Sequence, residues 1–441
     1  MPKTDQKVIV ISFDAMVRED IRDTLSQYPN FRYVIEHGSE VETMRTVYPS
    51  ITYPVHASIM TGTTVGKHGV IGNELEMFGV KGFHPWRWER KYVSPETPTV
   101  FDYAHDAGYT TAACFWPVTG NDPHIDYLIP EVWDYQGDQN VFGCDVLRKY
   151  GTQPAVNERI CRVHEHYLYE DPEDMPPCDS FLTACSRDLI NLFKPDVLFI
   201  HFGLIDAYRH KFGVFSQELT DKLIWMDRFL GVLMETAREA GVFDKTNFIL
   251  MSDHGQMDIE KVVCINRLLI DAGFIRVNAK DNVVSWDAFE RSNAQSCAIF
   301  LKDPTDKDLY DRVYSALTEW AKNPAYGIQR IYTAEECKAE EGYYGDFSFV
   351  LESDGKTSFA NHWNPPVVHN PSSGDYTLNK ATHGYQPDCG PQPPFLACGP
   401  AFKQGVHLDR RSVLDVAPTV AKILGFDMPT AEGKVLTELL K

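Results

Sequence analysis

The sequence lacks a long apolar segment, a signal-peptide pattern and an excess of positive charge. No apolar run approaches the roughly 20 residues that a membrane-spanning helix needs, so we expect no membrane partner. Lys and Arg number 42 against 62 Asp and Glu, which makes the formal net charge −20. Because a surface this acidic repels a phosphate backbone, we also expect no nucleic-acid polymer among the partners.

The ten cysteines show no C-x-x-C pair and no framework of regular spacings. A chain of 441 residues can bury a large core without disulfides. We therefore expect reduced thiols and a cytoplasmic protein. The 43% hydrophobic content is that of a globular protein and excludes wholesale disorder. The acidity does not exclude a small phosphorylated substrate, because a bound metal can reverse the local field.

Short apolar runs alternate with helical patterns along most of the chain. This alternation predicts an α/β fold with a central, mostly parallel sheet sandwiched by helices. Residues 8–13 form a near-continuous Val- and Ile-rich run, which is typical of a buried parallel strand. We expect further strands at residues 109–115, 197–202, 247–251 and 394–398, and helices at 181–193, 218–240 and 412–424.

Two regions interrupt the alternation. Residues 119–180 are rich in Pro, Asp and aromatics and predict a long insertion of loops. Residues 275–375 predict an α+β cap subdomain, with strands at 298–301, 327–332 and 347–351 and a helix at 305–321. The core domain would then comprise residues 1–274 and 376–441.

Three carboxylates follow three of the predicted strands: Asp14, Asp206 and Asp253. In open α/β sheets, ligands bind outside the carboxyl ends of the strands, so we expect these acids to converge on one crevice. Like charges that close repel one another. A divalent cation would relieve the repulsion.

Histidines stand where they can join these acids. His210 lies four residues after Asp206, on the same face if the stretch is helical. His254 directly follows Asp253, and His383 stands beside a glycine in a T-H-G-Y segment. A single histidine is more often a surface or core residue, but a mixed Asp/His set without Cys suits catalytic Zn²⁺, or Mn²⁺.

A hydroxyl group stands near a predicted helix start. Residues 48–62 predict a helix that begins near Pro54, with Thr52 at or just before its N-cap. Thr52 is then either only a capping residue or a nucleophile. In the second case, a metal would activate its hydroxyl to attack a phosphoryl group that the helix N-terminus attracts.

The candidate residues belong to short motifs, namely Ser12-Phe13-Asp14, Thr52-Tyr53-Pro54-Val55-His56, His68-Gly69-Val70-Ile71-Gly72-Asn73, Phe115-Trp116-Pro117, Asp206…His210, Ser252-Asp253-His254-Gly255 and Thr382-His383-Gly384-Tyr385. In content and order, they resemble the nucleotide pyrophosphatase/phosphodiesterase branch of the alkaline phosphatase superfamily. The resemblance covers most of residues 7–430 and implies an alkaline phosphatase-like fold.

The resemblance also implies two divalent ions, Zn²⁺ or Mn²⁺, and a role for each motif residue. Three residues would bind one ion: Asp206, His210 and His383. Four would bind the other: Asp14, Asp253, His254 and the Thr52 oxygen. Asn73 and the Thr52 backbone N–H would hold a non-bridging phosphate oxygen, and Tyr53 would lie against the leaving group or base.

The aromatic segment 77–88 follows Asn73 closely. It is either a substrate-side loop that stacks on a flat group, with Phe78 and Trp86 as contacts, or an aromatic packing loop. Trp116 of the F-W-P motif is a further candidate substrate contact.

The sequence departs from the family pattern at three positions, which are Ala15 and Arg209 in place of Gly and Val55 in place of Asn. None of these changes removes a ligand, so we expect the chemistry to be retained. The identity of the substrate stays undetermined. Arg209 either adds positive charge near the substrate or is solvated, and we favour the solvated side chain.

The sequence therefore predicts an enzyme, a two-metal phosphohydrolase that cleaves a phosphodiester or pyrophosphate bond of a small, nucleotide-like substrate through a phospho-threonine intermediate. The alternatives are a phosphonoacetate-type C–P hydrolase, a phosphomonoesterase of the same superfamily, and a non-catalytic metal-stabilised binding protein. Three ligand carboxylates and two divalent ions would leave about +1 at the site, which suits a compact phosphorylated molecule. The sequence makes no prediction of the oligomeric state.

Overall fold

The fold is described from a computed structural model of the chain. The structure describes residues 3–441 except 82–83, 133, 137–138, 142, 152, 170–176 and 372–379. Parts of the predicted loop insertion, of the aromatic segment and of the predicted cap thus lie outside the described residues. Within the described ranges, no helix combines the length and apolar character that crossing a membrane requires.

The strands of the described chain are β1 (Lys7–Phe13), β2 (Gly38–Arg45), β3 (Thr111–Cys114), β4 (Tyr127–Ile129), β5 (Asp134–Gln136), β6 (Gln139–Val141), β7 (Val197–Phe202), β8 (Thr246–Met251), β9 (Met257–Asp258), β10 (Lys261–Val263), β11 (Ile275–Val277), β12 (Val283–Trp286), β13 (Ala288–Asn293), β14 (Ser296–Leu301), β15 (Ile328–Thr333), β16 (Phe349–Ser353), β17 (Thr357–Phe359), β18 (Val368–His369), β19 (Ala381–Thr382), β20 (Phe395–Cys398) and β21 (His407–Ser412).

The α-helices are α1 (Arg18–Asp23), α2 (Pro29–His37), α3 (Thr52–Thr61), α4 (Val65–His68), α5 (Val100–Asp106), α6 (Cys144–Lys149), α7 (Pro154–Val156), α8 (Arg162–His164), α9 (Pro177–Phe193), α10 (Leu204–Phe212), α11 (Gln217–Glu239), α12 (Ile265–Asp271), α13 (Lys307–Ala321), α14 (Ala334–Glu341) and α15 (Val416–Leu424). Shorter 3₁₀ turns cover Leu25–Gln27, Arg90–Tyr92, Glu165–Tyr169, Phe243–Lys245, Pro324–Tyr326 and Val413–Asp415, and a π-helical turn covers Asn157–Cys161.

The main sheet has eight strands in the order β21-β2-β20-β8-β1-β7-β3-β4. Every neighbouring pair is parallel except those that involve β20, which runs antiparallel to both β2 and β8. The central strand β1 sends Val8 and Val10 into one core cluster and Ile9 and Ile11 into the other. Burial on both faces explains the continuous apolar run of this strand.

Helices cover both faces of the sheet. One core cluster contains side chains of α3, α5 and α15, and the other contains side chains of α2, α9 and α11. The predicted class, an α/β fold with a mostly parallel sheet between helical layers, is therefore confirmed.

A second, four-stranded sheet is antiparallel and has the order β13-β14-β16-β15. Its apolar face belongs to a third core cluster that includes Leu309, Val313 and Leu317 of α13. These elements match the strands and helix expected between 298 and 351 to within a few residues. The limits of a cap subdomain at 275 and 375 stay predictions.

Two parts of the main sheet were not predicted from local sequence patterns. Residues 119–180, expected to be loops, contribute the strand β4, which pairs with β3, and several short helices. Strands β2 and β21 carry charged and polar residues because many of their side chains are only partly buried. Their pairing with each other joins segments that are far apart in the chain. A local sequence pattern contains no information about such a pairing.

Candidate active site

The three predicted acids lie at the carboxyl ends of the three central strands. Asp14 follows β1, Asp206 lies in α10 just after β7, and Asp253 follows β8. Since β1 pairs with both β7 and β8 in parallel, the three strand ends are adjacent. The backbone N–H of Asp14 still donates to the Phe202 carbonyl at 2.8 Å, which extends the β1–β7 ladder up to the site. The expected convergence therefore follows from strand order.

The first cluster contains Asp14, Asp253 and His254, all of them buried. The Nε2 atom of His254 lies 3.5 Å from Asp14 Oδ1 and 3.2 Å from Asp253 Oδ2. Those two carboxylate oxygens are buried and accept no hydrogen bond from the described residues. A buried carboxylate oxygen without a donor is costly, and a metal ion is a usual solution. The three side chains could therefore hold a divalent cation.

The second cluster adjoins the first. His210 Nε2 lies 3.3 Å from Asp206 Oδ2, as the i, i+4 spacing on α10 predicts, and His383 Nε2 lies 3.8 Å from Asp206 Oδ1. The Nδ1 atom of His210 donates to the Ala381 carbonyl at 2.8 Å, which turns Nε2 toward the acid. The rings of His383 and His254 are 4.3 Å apart, so the two clusters form one continuous site.

A glycine positions His383. Gly384 has φ +90°, and a Cβ atom at this residue would lie 1.7 Å from the backbone oxygen of Asn293. Only glycine allows this close approach without a shift of the backbone. The glycine noted beside His383 in the sequence is thus part of the turn that delivers the imidazole to the site.

The electrostatics of the site indicate a missing positive charge. Burial, and then the charges of Asp253 and Asp206, raise the pKa of Asp14 well above its usual value. Burial also opposes ionisation of Asp206, but its neighbours His210 and His383 hold its pKa well below the usual value. Burial and the neighbouring His254 lower the pKa of His383 well below its usual value. Asp206 in turn raises the pKa of His210 despite its burial. Crowded carboxylates beside imidazoles form a donor set that suits divalent cations.

Thr52 is the first residue of α3, two residues earlier than the predicted helix start. Ile51 occupies the N-cap position, and Pro54 falls in the first turn, where its missing N–H has no helical partner to lose. The Thr52 hydroxyl does not cap the helix but lies 3.4 Å from His254 Nε2. The hydroxyl therefore points to the first acid cluster, as the nucleophile alternative requires.

Asn73 approaches the same helix start from the following loop. Its Oδ1 accepts a hydrogen bond from the Tyr53 N–H at 2.9 Å, and the side chain is buried. Because Oδ1 is used in this way, the amide NH₂ is the part that can donate to a bound oxyanion. This bond fixes Asn73 beside Thr52, and the expected binding of a phosphate oxygen by Asn73 and the Thr52 N–H stays a prediction.

Sequence reasoning did not assign a role to a buried histidine layer at the site. His56 Nδ1 bonds to the Thr52 backbone oxygen at 2.8 Å and lies 3.5 Å from Asp253 Oδ2, while His201 Nε2 lies 3.4 Å from Asp14 Oδ2. Burial lowers the pKa of both rings, which keeps them neutral at physiological pH. A histidine inside the otherwise apolar run of β7 was the available signal for His201.

The candidate substrate aromatics divide into two groups. Phe78 packs against Phe289 and Phe300 of the second sheet, and Trp116 has no exposed surface and contacts His56. Trp116 therefore acts as a packing residue, whereas a substrate contact of the half-buried Phe78 stays a prediction. Tyr53 also has no exposed surface, and its ring makes an edge-on contact with the half-buried Trp86, with 5.4 Å between the ring centroids.

The prediction that Arg209 is solvated is wrong. Arg209 is fully buried, and its Nη2 donates to both carboxylate oxygens of Asp20 at 2.6 and 2.7 Å. Its Nη1 donates to the carbonyl of Ala15 at 2.6 Å. Ala15 has φ 58°, a left-handed conformation that glycine adopts more easily. The two departures from the family pattern therefore meet in space, and Arg209 holds the turn that follows Asp14.

We expect Arg209→Met to lower the free energy of unfolding by about 3–5 kcal/mol, because it leaves Asp20 buried without its cation. The double variant Asp20→Asn/Arg209→Met should lose less than the two single variants together. Urea denaturation of all three variants measures this coupling. Arg312→Gln, which removes an exposed pair with Asp308, should change stability by less than about 0.5 kcal/mol. Additive single effects would contradict the assigned pair.

Comparisons with known proteins agree with this site. Residues 8–386 match the family model described as type I phosphodiesterase / nucleotide pyrophosphatase. The chain is 23% identical over 429 residues to ectonucleotide pyrophosphatase/phosphodiesterase family member 5 of Homo sapiens, a match that covers 95% of this chain and 74% of the relative. It is likewise 23% identical over 427 residues to the bis(5'-adenosyl)-triphosphatase enpp4 of Xenopus laevis, covering 95% and 78%.

Two solved structures share the fold. Human ectonucleotide pyrophosphatase/phosphodiesterase 5 matches with a TM-score of 0.68 at 18% identity. An inactive threonine-to-alanine variant of the murine protein, in complex with AMP, matches with a TM-score of 0.66 at 20% identity. Each match covers 99% of this chain and 100% of the other. With its strand-end acids, their histidines and the matched family model, the chain belongs to the type I phosphodiesterase/nucleotide pyrophosphatase family.

Proposed function

We propose that this chain is a metal-dependent hydrolase that cleaves a phosphodiester or pyrophosphate bond of a small, nucleotide-like substrate, with Thr52 as the nucleophile. The observation that carries the proposal is the Thr52 hydroxyl, which lies at the first residue of α3 and 3.4 Å from His254 in the first acid cluster. The helix start and the cluster would then bring a nucleophile, an anion-binding N-terminus and metal ligands together, which supports the proposal.

Two divalent cations, Zn²⁺ or Mn²⁺, fit the donor set. Asp206, His210 and His383 would hold one of them, and Asp14, Asp253, His254 and Thr52 would hold the other. The buried oxygens of Asp14 and Asp253 that accept no hydrogen bond from the described residues support this assignment. When bound, such cations lower the pKa of an attacking hydroxyl and neutralise the charge that develops on a leaving oxygen.

The chain's own residues then perform the transfer. Thr52 Oγ1 forms a bond to phosphorus while the bond from phosphorus to the leaving oxygen breaks, which produces a phospho-threonine. The amide of Asn73 and the backbone N–H of Thr52 at the start of α3 donate to a non-bridging oxygen, where negative charge accumulates. Water then attacks phosphorus and releases phosphate or a phosphomonoester from Thr52. The Nδ1 atom of His56 donates to the Thr52 backbone carbonyl and so helps to hold the Thr52 backbone in place.

The substrate class follows from charge and from relatives. The formal charge of −20 keeps long polyanions away, whereas the loaded site would carry about +1 and accept a compact phosphate. The amphibian relative is a bis(5'-adenosyl)-triphosphatase, and the murine neighbour binds AMP in its solved complex. The half-buried Trp86, which packs edge-on against Tyr53, is the aromatic candidate for contact with a flat leaving group. The cytoplasmic location and reduced cysteines expected from the sequence stay predictions.

Replacing Thr52 by Ala should abolish turnover of a p-nitrophenyl phosphodiester while metal content is retained, because the aspartates and histidines that hold the metals are untouched. Thr52→Ser should keep measurable turnover, since a hydroxyl remains. The matched control is Thr61→Ala, a buried threonine of the same helix whose hydroxyl bonds to the Ala57 carbonyl. Steady-state rates and elemental analysis provide the two readouts. Robust turnover by Thr52→Ala would exclude the covalent mechanism.

Replacing Asn73 by Ala should lower kcat by about 10²–10³-fold with a smaller effect on KM, because the lost donor acts mainly on charge that develops in the transition state. Asn278→Ala, at an exposed turn between β11 and β12, should leave both constants unchanged. A pure KM effect of Asn73→Ala would assign this residue to ground-state binding instead.

Removal of metals with a chelator should abolish turnover, and added Zn²⁺ or Mn²⁺ should restore it. The reloaded protein is then assayed side by side with a p-nitrophenyl phosphodiester, a phosphomonoester and phosphonoacetate. We expect the diester to be cleaved fastest. A preference for phosphonoacetate or for the monoester would favour the corresponding alternative enzyme, and a fully loaded protein that cleaves none of them would favour the binding protein.

A further inference from the structure

A cysteine and two histidines meet outside the acid–histidine clusters. Cys264 follows β10, His362 lies in the segment after β17, and His369 ends β18. One ligand atom from each of them lies within 4.8 Å of the others. Cys264 is buried, whereas His362 and His369 are half-buried. No role in the proposed phosphoryl transfer requires these three side chains.

Strand pairing brings the three residues together. Strands β17, β10 and β18 form a small sheet in that order, in which Val263 pairs with Phe359 and Val262 pairs with His369. The N–H of Cys264 donates to the Val367 carbonyl at 2.9 Å, and the N–H of Ala360 donates to the Val263 carbonyl at 3.1 Å. The ladders on both sides of β10 therefore set the backbone at Cys264 and His369, and His362 follows β17 by three residues.

The three side chains approach one another closely enough to share one ion. Cys264 Sγ lies 3.3 Å from Nδ1 and 3.7 Å from Nε2 of His362, so the sulfur faces the ring edge between the two nitrogens. A Zn–S bond of about 2.3 Å and a Zn–N bond of about 2.0 Å at the tetrahedral angle place sulfur and nitrogen about 3.5 Å apart, and a rotation of the His362 ring would leave one nitrogen at this distance. Nε2 of His369 contacts the Asn364 carbonyl at 3.1 Å. If Nε2 donates there, Nδ1 is left as the ligand atom, an arrangement common among metal-bound histidines.

We propose that Cys264, His362 and His369 bind Zn²⁺ at a third metal site, separate from the two catalytic positions. One thiolate and two imidazoles favour zinc over Mg²⁺, Ca²⁺ or Mn²⁺, which prefer oxygen ligands. Solvent reaches the two half-buried histidines, so a water molecule can complete four ligands. The ion would tie the end of β10 to the segment between β17 and β18, a structural role that does not depend on the proposed hydrolase activity.

Cobalt provides a probe that reports on this site alone. The acid–histidine clusters contain no cysteine, so only Cys264 among the proposed ligands can produce a thiolate-to-cobalt charge-transfer band. Metal-free full-length chain is titrated with Co²⁺ and followed by near-ultraviolet absorption. Because the two acid–histidine positions also take up Co²⁺, we expect the band to saturate by three equivalents per chain. Zinc-loaded protein should contain one equivalent more than the Cys264→Ser variant.

Variants distinguish cobalt binding at this site from non-specific binding to other cysteine thiols. Cys264→Ser should abolish the band, and His369→Gln should weaken or abolish it. Cys389→Ser, which removes the exposed cysteine, should leave it unchanged. Circular dichroism and turnover of the phosphodiester verify that each variant is folded, and His369→Gln provides the test if Cys264→Ser does not fold.

Two results would overturn the proposal. The first is the absence of a band with excess Co²⁺ in a protein whose acid–histidine clusters are loaded. The second is a band that survives in folded Cys264→Ser, keeps its full intensity in folded His369→Gln, or disappears in Cys389→Ser. In either case, Cys264 and His362 share only a thiol–imidazole contact. Because the readout is independent of turnover, a failure of the hydrolase proposal would not produce either result.

Discussion

Electrostatic repulsion among Asp14, Asp206 and Asp253 is the constraint on which the rest of the site depends. The parallel pairing of β7, β1 and β8 brings these carboxylates to one edge of the sheet, where Asp14 and Asp253 are buried and Asp206 is half-buried. Such an arrangement is stable only with compensating charge. Histidines supply part of it, since His210 and His383 lower the pKa of Asp206, while Asp14 keeps a raised pKa. Under the proposed function, bound cations would supply the remaining positive charge and would attract phosphate.

The surroundings of the acids are correspondingly rigid. Helix α3 begins at Thr52, so that one residue provides both a hydroxyl beside His254 and the start of an anion-binding helix terminus. His56 and His201 line the buried side of the first cluster and remain neutral. Arg209 pairs with Asp20 and holds the Ala15 carbonyl, which stabilises a left-handed residue directly after Asp14. The backbone around the first cluster is thus held by the start of α3, by the buried imidazoles and by the buried Arg209–Asp20 pair.

The second sheet contributes in a different way. Its face receives Phe78 from the aromatic segment, and the backbone of Asn293 lies against Gly384 next to His383. Insertions between the strands of the main sheet therefore support residues of the site without supplying acids to it. The Cys264, His362 and His369 cluster lies at a small sheet formed by the same part of the chain. A structural ion there would stabilise this region independently of the catalytic positions.

The sequence by itself determined the fold class, the strand-end acids and their histidines, because buried strands have continuous apolar runs and ligands follow at fixed offsets. It did not determine contacts between distant segments. Arg209 is charged and was expected in water, but Asp20 and the Ala15 carbonyl meet it in the interior. Trp116 was a candidate substrate contact, but the surrounding side chains bury it completely. For Phe78 the sequence left open substrate contact or packing, and three aromatic contacts show the packing. Strands β2 and β21 and the Cys264 cluster also arise from pairings between remote segments. Local periodicity records which side of an element is buried, whereas only tertiary packing decides which partner buries it.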